Sequence, residues 1–127
     1  MNKSIWYPTV NWIISANKRI IKREKVTKAE RHEIKLNGRR KIENVIQESI
    51  ESKGSIEHKA SILLRGINQA HSFGSANKRT SYFIAKTFIL KNKKVVINNE
   101  DKNLGEFGLK VRAGKVKDKD IEKFLNK

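Results

Sequence analysis

The chain has 127 residues, with 29 Lys or Arg against 13 Asp or Glu, so its formal net charge is +16 at pH 7. Seven Gly and one Pro exclude a collagen-like chain or a turn-rich β-protein, and the absence of Cys excludes disulfides and a thiolate zinc site. We therefore expect residues 1–127 to form one compact domain whose surface attracts polyanions such as nucleic acid or acidic proteins. No apolar run is long enough for a membrane span or signal peptide, which predicts a cytoplasmic protein without membrane contact.

The first third of the chain has helical periodicity. Apolar residues at helical spacing predict a first helix from Pro8 to about Glu24. The sequence Thr27-Lys-Ala-Glu30 resembles a capping box and predicts a short second helix that ends at Asn37-Gly38. The other side of the first helix carries a row of cations, namely Lys18, Arg19, Lys22, Arg23 and Lys25.

The rest of the chain also has helical periodicity. A third helix is predicted from about Arg39, with an apolar stripe that includes Ile50 and a stop at Gly54. Ser55 is the predicted N-cap of a fourth helix that ends near Ala70. The remaining predictions are a fifth helix over about 76–92 with Phe83 on its core face, a possible extended piece at 94–97, and helices at about 100–112 and 118–125. The sequence thus predicts an all-α bundle of six to seven helices.

One stretch, His71-Ser-Phe-Gly-Ser-Ala-Asn-Lys-Arg-Thr80, lies between two predicted helices. The start of the second helix offers free backbone N–H groups, and small Gly74 and Ala76 allow an anion to approach the backbone. Placing Lys78 and Arg79 in the first turn opposes their usual preference for the helix dipole, which indicates a bound negative group. A neutral His71 is a candidate base for the proton of an attacking hydroxyl.

A plainer interpretation of the same stretch stays open. His71 could cap the end of a helix, Phe73 could anchor the loop in the core, and the cations that follow could belong to an already basic surface. Short motifs often arise without the function they suggest.

The stretch from His71 to Thr80 resembles the HxFxDANKRT core of the Fic/Doc family. Within this stretch, the most similar sequences are those of the short branch of death-on-curing (Doc) toxins, and the similarity lies in Ala76-Asn77-Lys78-Arg79-Thr80. The resemblance implies the Fic fold, a compact single-domain helical bundle with a nucleotide site at the motif loop. It also implies a transferase that uses ATP to phosphorylate, or to nucleotidylate, a Thr or Ser hydroxyl of a protein such as a translation elongation factor.

The resemblance also implies roles for single residues. His71 would be the catalytic base, and Phe73 would anchor the loop. The ATP phosphates would be held by the loop and the first helical turn, through Gly74, Ala76, Asn77, Lys78 and Arg79.

Ser75 departs from the family pattern, which has Asp or Glu there as the ligand of Mg²⁺. Its hydroxyl could still bind Mg²⁺ beside the phosphates, or Glu100, Asp101 or Glu106 could supply the charge. The alternative is a catalytically degenerate protein that binds nucleotide or nucleic acid through its basic surface. The chain contains no inhibitory-helix motif of the kind found in self-inhibited Fic proteins, so we expect control by a separate antitoxin protein.

Overall fold

The computed structural model describes residues 4–24, 34–97 and 104–126. These residues form six helices and no named strand, so the prediction of an all-α fold is confirmed. In chain order the helices are α1 (Val10–Glu24), α2 (Gly38–Glu51), α3 (Ile56–Ala70), α4 (Asn77–Lys93), α5 (Leu104–Arg112) and α6 (Asp118–Leu125).

Helix α3 is the centre of the bundle and packs against α2, α4, α5 and α6. Its apolar side chains from Ala60 to Ile67 are almost fully buried because neighbours cover the helix on several sides, and even polar Ser61 and Asn68 are enclosed. Ser55 caps the helix as predicted, its side chain accepting a hydrogen bond from the backbone N–H of His58. The core therefore forms around the helix that leads directly into the motif loop.

Helix α1 packs against α4 and, over a smaller area, against α2. It begins two residues after Pro8, and Thr9 caps it, since its hydroxyl accepts a hydrogen bond from the backbone N–H of Trp12. Upstream, Trp6 exchanges two hydrogen bonds with the side chain of Asn92, near the end of α4. The start of the described chain is thereby held to the helix that follows the motif loop.

Arg65 joins three helices on the other side of the bundle. Its guanidinium, on α3, donates 2.8 Å hydrogen bonds to Asp118 at the start of α6 and to Glu48 on α2. Burial lowers the pKa of Arg65, but hydrogen bonds to the two carboxylates outweigh that effect and raise it. The half-buried charge is thus compensated on both sides.

The prediction of a short helix over 27–37 is wrong in the part that the structure describes, while 27–33 lie outside the described residues. Ile34 forms an isolated antiparallel bridge with Phe73, and a turn at 36–37 leads into α2. Asn37 has a left-handed backbone with φ 63° and directly precedes Gly38, the first residue of α2. Asn37-Gly38 was predicted to end a helix, but it precedes and begins α2. The reason is that residues 34 and 35 pair with the motif loop and are therefore not helical.

Two other predictions need correction. The helical spacing predicts Ile50 and Phe83 on core faces, but their side chains are 43% and 42% exposed. Residues 94–97 follow α4 without regular structure, and α5 is described only from Leu104, since 98–103 lie outside the described residues. Within the described ranges, no helix combines the length and apolar character required to cross a membrane.

Candidate active site

The motif loop, residues 71–76, connects α3 to α4 through a left-handed residue at each end. His71 ends α3 with φ 47°, and Ala76 precedes α4 with φ 65°. Such conformations cost a non-glycine residue energy and persist where the surroundings hold them. Phe73 is fully buried between them, and the side chain of Asn77 exchanges hydrogen bonds of 3.0 and 3.1 Å with its backbone. The loop is therefore a tight turn stabilised by the buried Phe73 ring and by the hydrogen bonds of Asn77.

The segment Ile34–Gly38 packs against one side of the motif loop. Besides the bridge from Ile34 to Phe73, the N–H of Lys35 donates to the Ser72 carbonyl at 2.8 Å. The buried Ser72 hydroxyl in turn donates to the Gly38 carbonyl at 3.1 Å. A Cβ at Gly38 would lie 3.0 Å from the Ser72 carbonyl oxygen, so this close approach requires a glycine. The segment supports the loop through its backbone.

Asn17 of α1 holds the other side of the motif loop. Its side chain is fully buried, and Nδ2 donates 3.0 Å hydrogen bonds to the Ser75 carbonyl and to Oγ1 of Thr80. Two segments distant in sequence thus fix the loop, α1 through Asn17 and residues 34–38 through backbone pairing. No sequence motif predicts this role for Asn17. It lies four residues after Ile13, so the spacing did indicate a polar residue on the buried face of α1.

The imidazole of His71 lies at the partly exposed edge of the loop, with Nδ1 2.7 Å from Nζ of Lys35. Since an ammonium group only donates, Nδ1 accepts this hydrogen bond and the neutral ring carries its proton on Nε2. Burial, followed by the positive charges of Arg112 and Lys35, holds the pKa of His71 below its ordinary value. His71 is therefore a neutral imidazole near pH 7, the form that a base requires.

Lys78 and Arg79 extend from the first turn of α4 into a cavity of about 1160 Å³ that α1 also lines. The aliphatic stem of Lys78 lies across Gly108 of α5, where a Cβ would come within 2.7 Å of its Cδ. No side chain caps the start of α4, because Ala76 occupies the N-cap position. Backbone N–H groups at this helix start and two cations thus share one region, an arrangement suited to phosphate.

The described residues do not provide a carboxylate site for Mg²⁺. Ser75 offers a hydroxyl, and no group of three His, Asp or Glu side chains with metal-binding geometry occurs within the described ranges. Glu106 is 84% exposed and lies near Lys110 of its own helix, while Glu100 and Asp101 lie outside the described residues. Mg²⁺ ordinarily takes at least one protein carboxylate, so these residues do not fit a protein-held Mg²⁺.

The structure brings the predicted site residues together on one loop and one helical turn. His71, Phe73, Gly74, Ser75 and Ala76 belong to the loop, and the other three, Asn77, Lys78 and Arg79, open α4. The side chain of Asn77 bonds to the loop backbone, which leaves its N–H as the group that could face a phosphate. Lys35 and Arg112, which the sequence motif does not include, contribute charges that act on His71 from segments distant in sequence.

Comparison with known proteins gives one family match. Residues 7–89 match the family model described as the Fic/DOC family, while a search of curated proteins returns no match. The matched region includes the entire motif loop, the segment that supports it and the helices α1 to α3. Because it covers well over half of the 127 residues, the chain belongs to the Fic/DOC family.

Proposed function

We propose that the chain is a Doc-like toxin that transfers a phosphoryl or adenylyl group from ATP to a Thr or Ser hydroxyl of a protein. Family membership supports AMPylation or a related transferase activity. The observation that carries the proposal is the placement of a neutral His71 and the first turn of α4 at the two ends of one short, fixed loop. A base for the acceptor and a binding site for the donor are thereby next to each other.

In this proposal His71 takes the proton of the acceptor hydroxyl on Nδ1, the ring nitrogen that carries a lone pair. In the structure the Lys35 ammonium donates a hydrogen bond to that lone pair. The acceptor hydroxyl therefore replaces the ammonium group when the protein substrate binds. The hydroxyl oxygen then attacks phosphorus. Attack on the γ-phosphate releases ADP, and attack on the α-phosphate releases pyrophosphate.

Lys78, Arg79 and the N–H groups at the start of α4 hold the phosphates in this proposal. ATP fits this region because its negative charge meets two cations and the positive end of a helix dipole. Charge that develops on the transferred group is stabilised by the same cations. No step requires a protein-held Mg²⁺.

A translation elongation factor is the proposed substrate, with a separate antitoxin protein as the partner that restrains the enzyme. We propose the cytoplasm as its location, because that target belongs there. The resemblance of Ala76-Asn77-Lys78-Arg79-Thr80 to the Doc branch supports this choice.

The experiment is a transfer assay with a purified elongation factor and ATP labelled on either the α or the γ phosphate. The retained label identifies the transferred group. His71→Ala should abolish transfer and leave ATP binding intact, since a base acts on the hydroxyl proton. Arg79→Ala should weaken both binding and transfer.

His58→Ala is the matched control, because His58 lies in the first turn of α3 beside Glu122, away from the motif loop. It should transfer at the wild-type rate. Equal transfer by wild type and His71→Ala would overturn the catalytic assignment. Arg79-dependent ATP binding without any transfer would instead identify a degenerate enzyme, as the absence of a carboxylate at Ser75 allows.

A further inference from the structure

A groove runs between α1 and α4, beside the motif loop, and α5 closes it at Leu104 and Gly105. We call this the basic groove, since cations line both of its walls. Helix α1 contributes Arg19, Lys22 and Arg23, and α4 contributes Lys78, Arg79 and Lys86. Of the row of five cations predicted on the first helix, the structure therefore places three on the groove wall. Lys18 does not line the groove, and Lys25 lies outside the described residues.

The charged side chains among the described residues of the basic groove are all positive. None of the described residues that line it is acidic, and α4 contains no Asp or Glu anywhere in its 17 residues. Concave surfaces lined by one sign of charge focus the electric field and raise the local concentration of counter-charged ligands. The site thus fits a ligand with regularly repeated negative charge.

Aromatic rings lie among these cations. Trp12 of α1 and Phe83 of α4 both line the groove and stack on each other, with ring centroids 6.0 Å apart and planes 8° from parallel. Phe83 is 42% exposed, although its neighbours Tyr82 and Ile84 in α4 are buried. Trp12 is partly buried, so Phe83 is the more exposed ring of the pair. An exposed aromatic ring beside a row of cations is typical of surfaces on which unpaired bases stack.

We propose that the basic groove binds single-stranded nucleic acid, with phosphates along the two rows of cations and a base on Phe83. A strand with unpaired bases supplies one charge per nucleotide and flat rings for stacking, so it satisfies both features of the groove. A duplex presents its phosphates on the outside of a wide cylinder and keeps its bases stacked internally. In an acidic protein segment the Asp and Glu side chains that supply the charge carry no ring that could stack on Phe83, whereas each nucleotide supplies both.

Strand binding in the groove goes beyond the proposed transferase function and requires neither His71 nor a protein acceptor. Strand binding and ATP binding share two residues, Lys78 and Arg79, which line the groove and which we assign to the ATP phosphates. A bound strand and ATP should therefore compete, whereas the α1 wall of the groove should serve only the strand.

The experiment measures fluorescence anisotropy of a labelled oligouridine of about 12 nucleotides at several salt concentrations. The test variant combines Arg19→Gln, Lys22→Gln and Arg23→Gln. The matched control combines Lys115→Gln, Lys119→Gln and Lys123→Gln, three exposed lysines of the α5–α6 region that lower the net charge equally. Circular dichroism checks that both variants are folded.

The test variant should weaken binding by at least about tenfold and reduce the slope of log Kd against log salt by about 2, while the control stays near wild type. Equal losses in the two variants would show that net charge alone attracts the strand, which would overturn the proposal. The test variant should still bind ATP. A negative result for strand binding can therefore be distinguished from a negative result for the proposed transferase function.

Phe83→Ala tests the stacking contact, with Leu90→Ala as its control on the same helix at the same 42% exposure. Loss of one base-aromatic stack should weaken oligouridine binding by about tenfold, and Leu90→Ala should not. A polyglutamate peptide of matched charge serves as the competing ligand. The proposal is wrong if polyglutamate binds as tightly as oligouridine and Phe83→Ala weakens the binding of neither ligand. The groove would then be a site for acidic protein segments.

Discussion

Nζ of Lys35 lies 2.7 Å from Nδ1 of His71, so a cation from the segment before α2 contacts the candidate base at the end of α3. This contact determines which ring nitrogen is protonated and adds to the burial and the Arg112 charge that lower the pKa of His71. A base with a lowered pKa stays neutral to more acidic pH.

Lys35→Met should therefore raise the pKa of His71 toward the ordinary value of about 6.5. In wild type, the acidic limb of the pH-rate profile for transfer should lie below that value, and it should move to higher pH in the variant. NMR titration of the His71 ring tests this without any substrate. Lys35→Arg keeps the charge and is the matched control. An unchanged His71 titration in Lys35→Met would show that the contact does not affect the base.

The lowered pKa also has a consequence for stability. Below about pH 6.5 the unfolded chain binds a proton at His71 more readily than the folded chain, so folding stability falls as the pH falls. The loss should be smaller in Lys35→Met. Urea denaturation at pH 5 and pH 8 measures it.

Asn17→Leu should destabilise the protein and disturb the motif loop. The substitution removes two hydrogen bonds made by a fully buried side chain and leaves the Ser75 carbonyl without this donor, for a loss of about 1–3 kcal/mol in the free energy of unfolding. Asn44→Ala on the exposed face of α2 is the control and should change stability by less than about 0.5 kcal/mol. Equal stability of Asn17→Leu and wild type would show that the loop does not depend on α1.

Ser75→Asp tests the missing metal ligand. A carboxylate at this position would repel the ATP phosphates when no metal is present, so the variant should bind ATP more weakly than wild type in EDTA. With Mg²⁺ it should bind more tightly, because the carboxylate then supplies the anionic ligand that Mg²⁺ prefers. Calorimetric titrations under the two conditions measure both effects, and Ser75→Asn is the uncharged control. An identical Mg²⁺ response in Ser75→Asp and Ser75→Asn would exclude this position as a metal site.

Local signals in the sequence predicted much of the bundle. Helices α3 and α4 begin and end close to the expected residues, because Ser55 and the small residues of the motif loop mark boundaries whatever the tertiary structure. Helical periodicity also predicted the apolar faces of the helices, except at Ile50 and Phe83, which are exposed. The loop residues were found because they are contiguous and form a recognisable motif.

The contacts that support the site could not be predicted in the same way. Ile34 and Lys35 follow a capping-box signal, and only their pairing with Phe73 and Ser72 removes them from a helix. Phe83 was assigned to the core by its spacing, but the groove between α1 and α4 leaves it exposed. In each case a partner distant in sequence determines the outcome.

Gly38→Ala provides the sharpest test of the supporting segment. The added Cβ would lie 2.9 Å from Cγ2 of Ile34 and 3.0 Å from the Ser72 carbonyl oxygen, so the segment must move away from the motif loop. We expect a loss of about 1–3 kcal/mol in the free energy of unfolding and a changed His71 titration, since Lys35 moves with the segment. Urea denaturation and NMR measure the two effects.

Gly105→Ala is the matched control for this substitution. Gly105 lies within α5, and a Cβ there would meet nothing within 4 Å among the described residues. Alanine is the better helix former by about 1 kcal/mol, so this variant should be as stable as wild type or more stable. If Gly38→Ala behaved like Gly105→Ala in both measurements, residues 34–38 would not support the loop. Destabilisation by Gly38→Ala alone, with a shifted His71 titration, would show that the approach of Gly38 to Ser72 maintains the contact between Lys35 and His71.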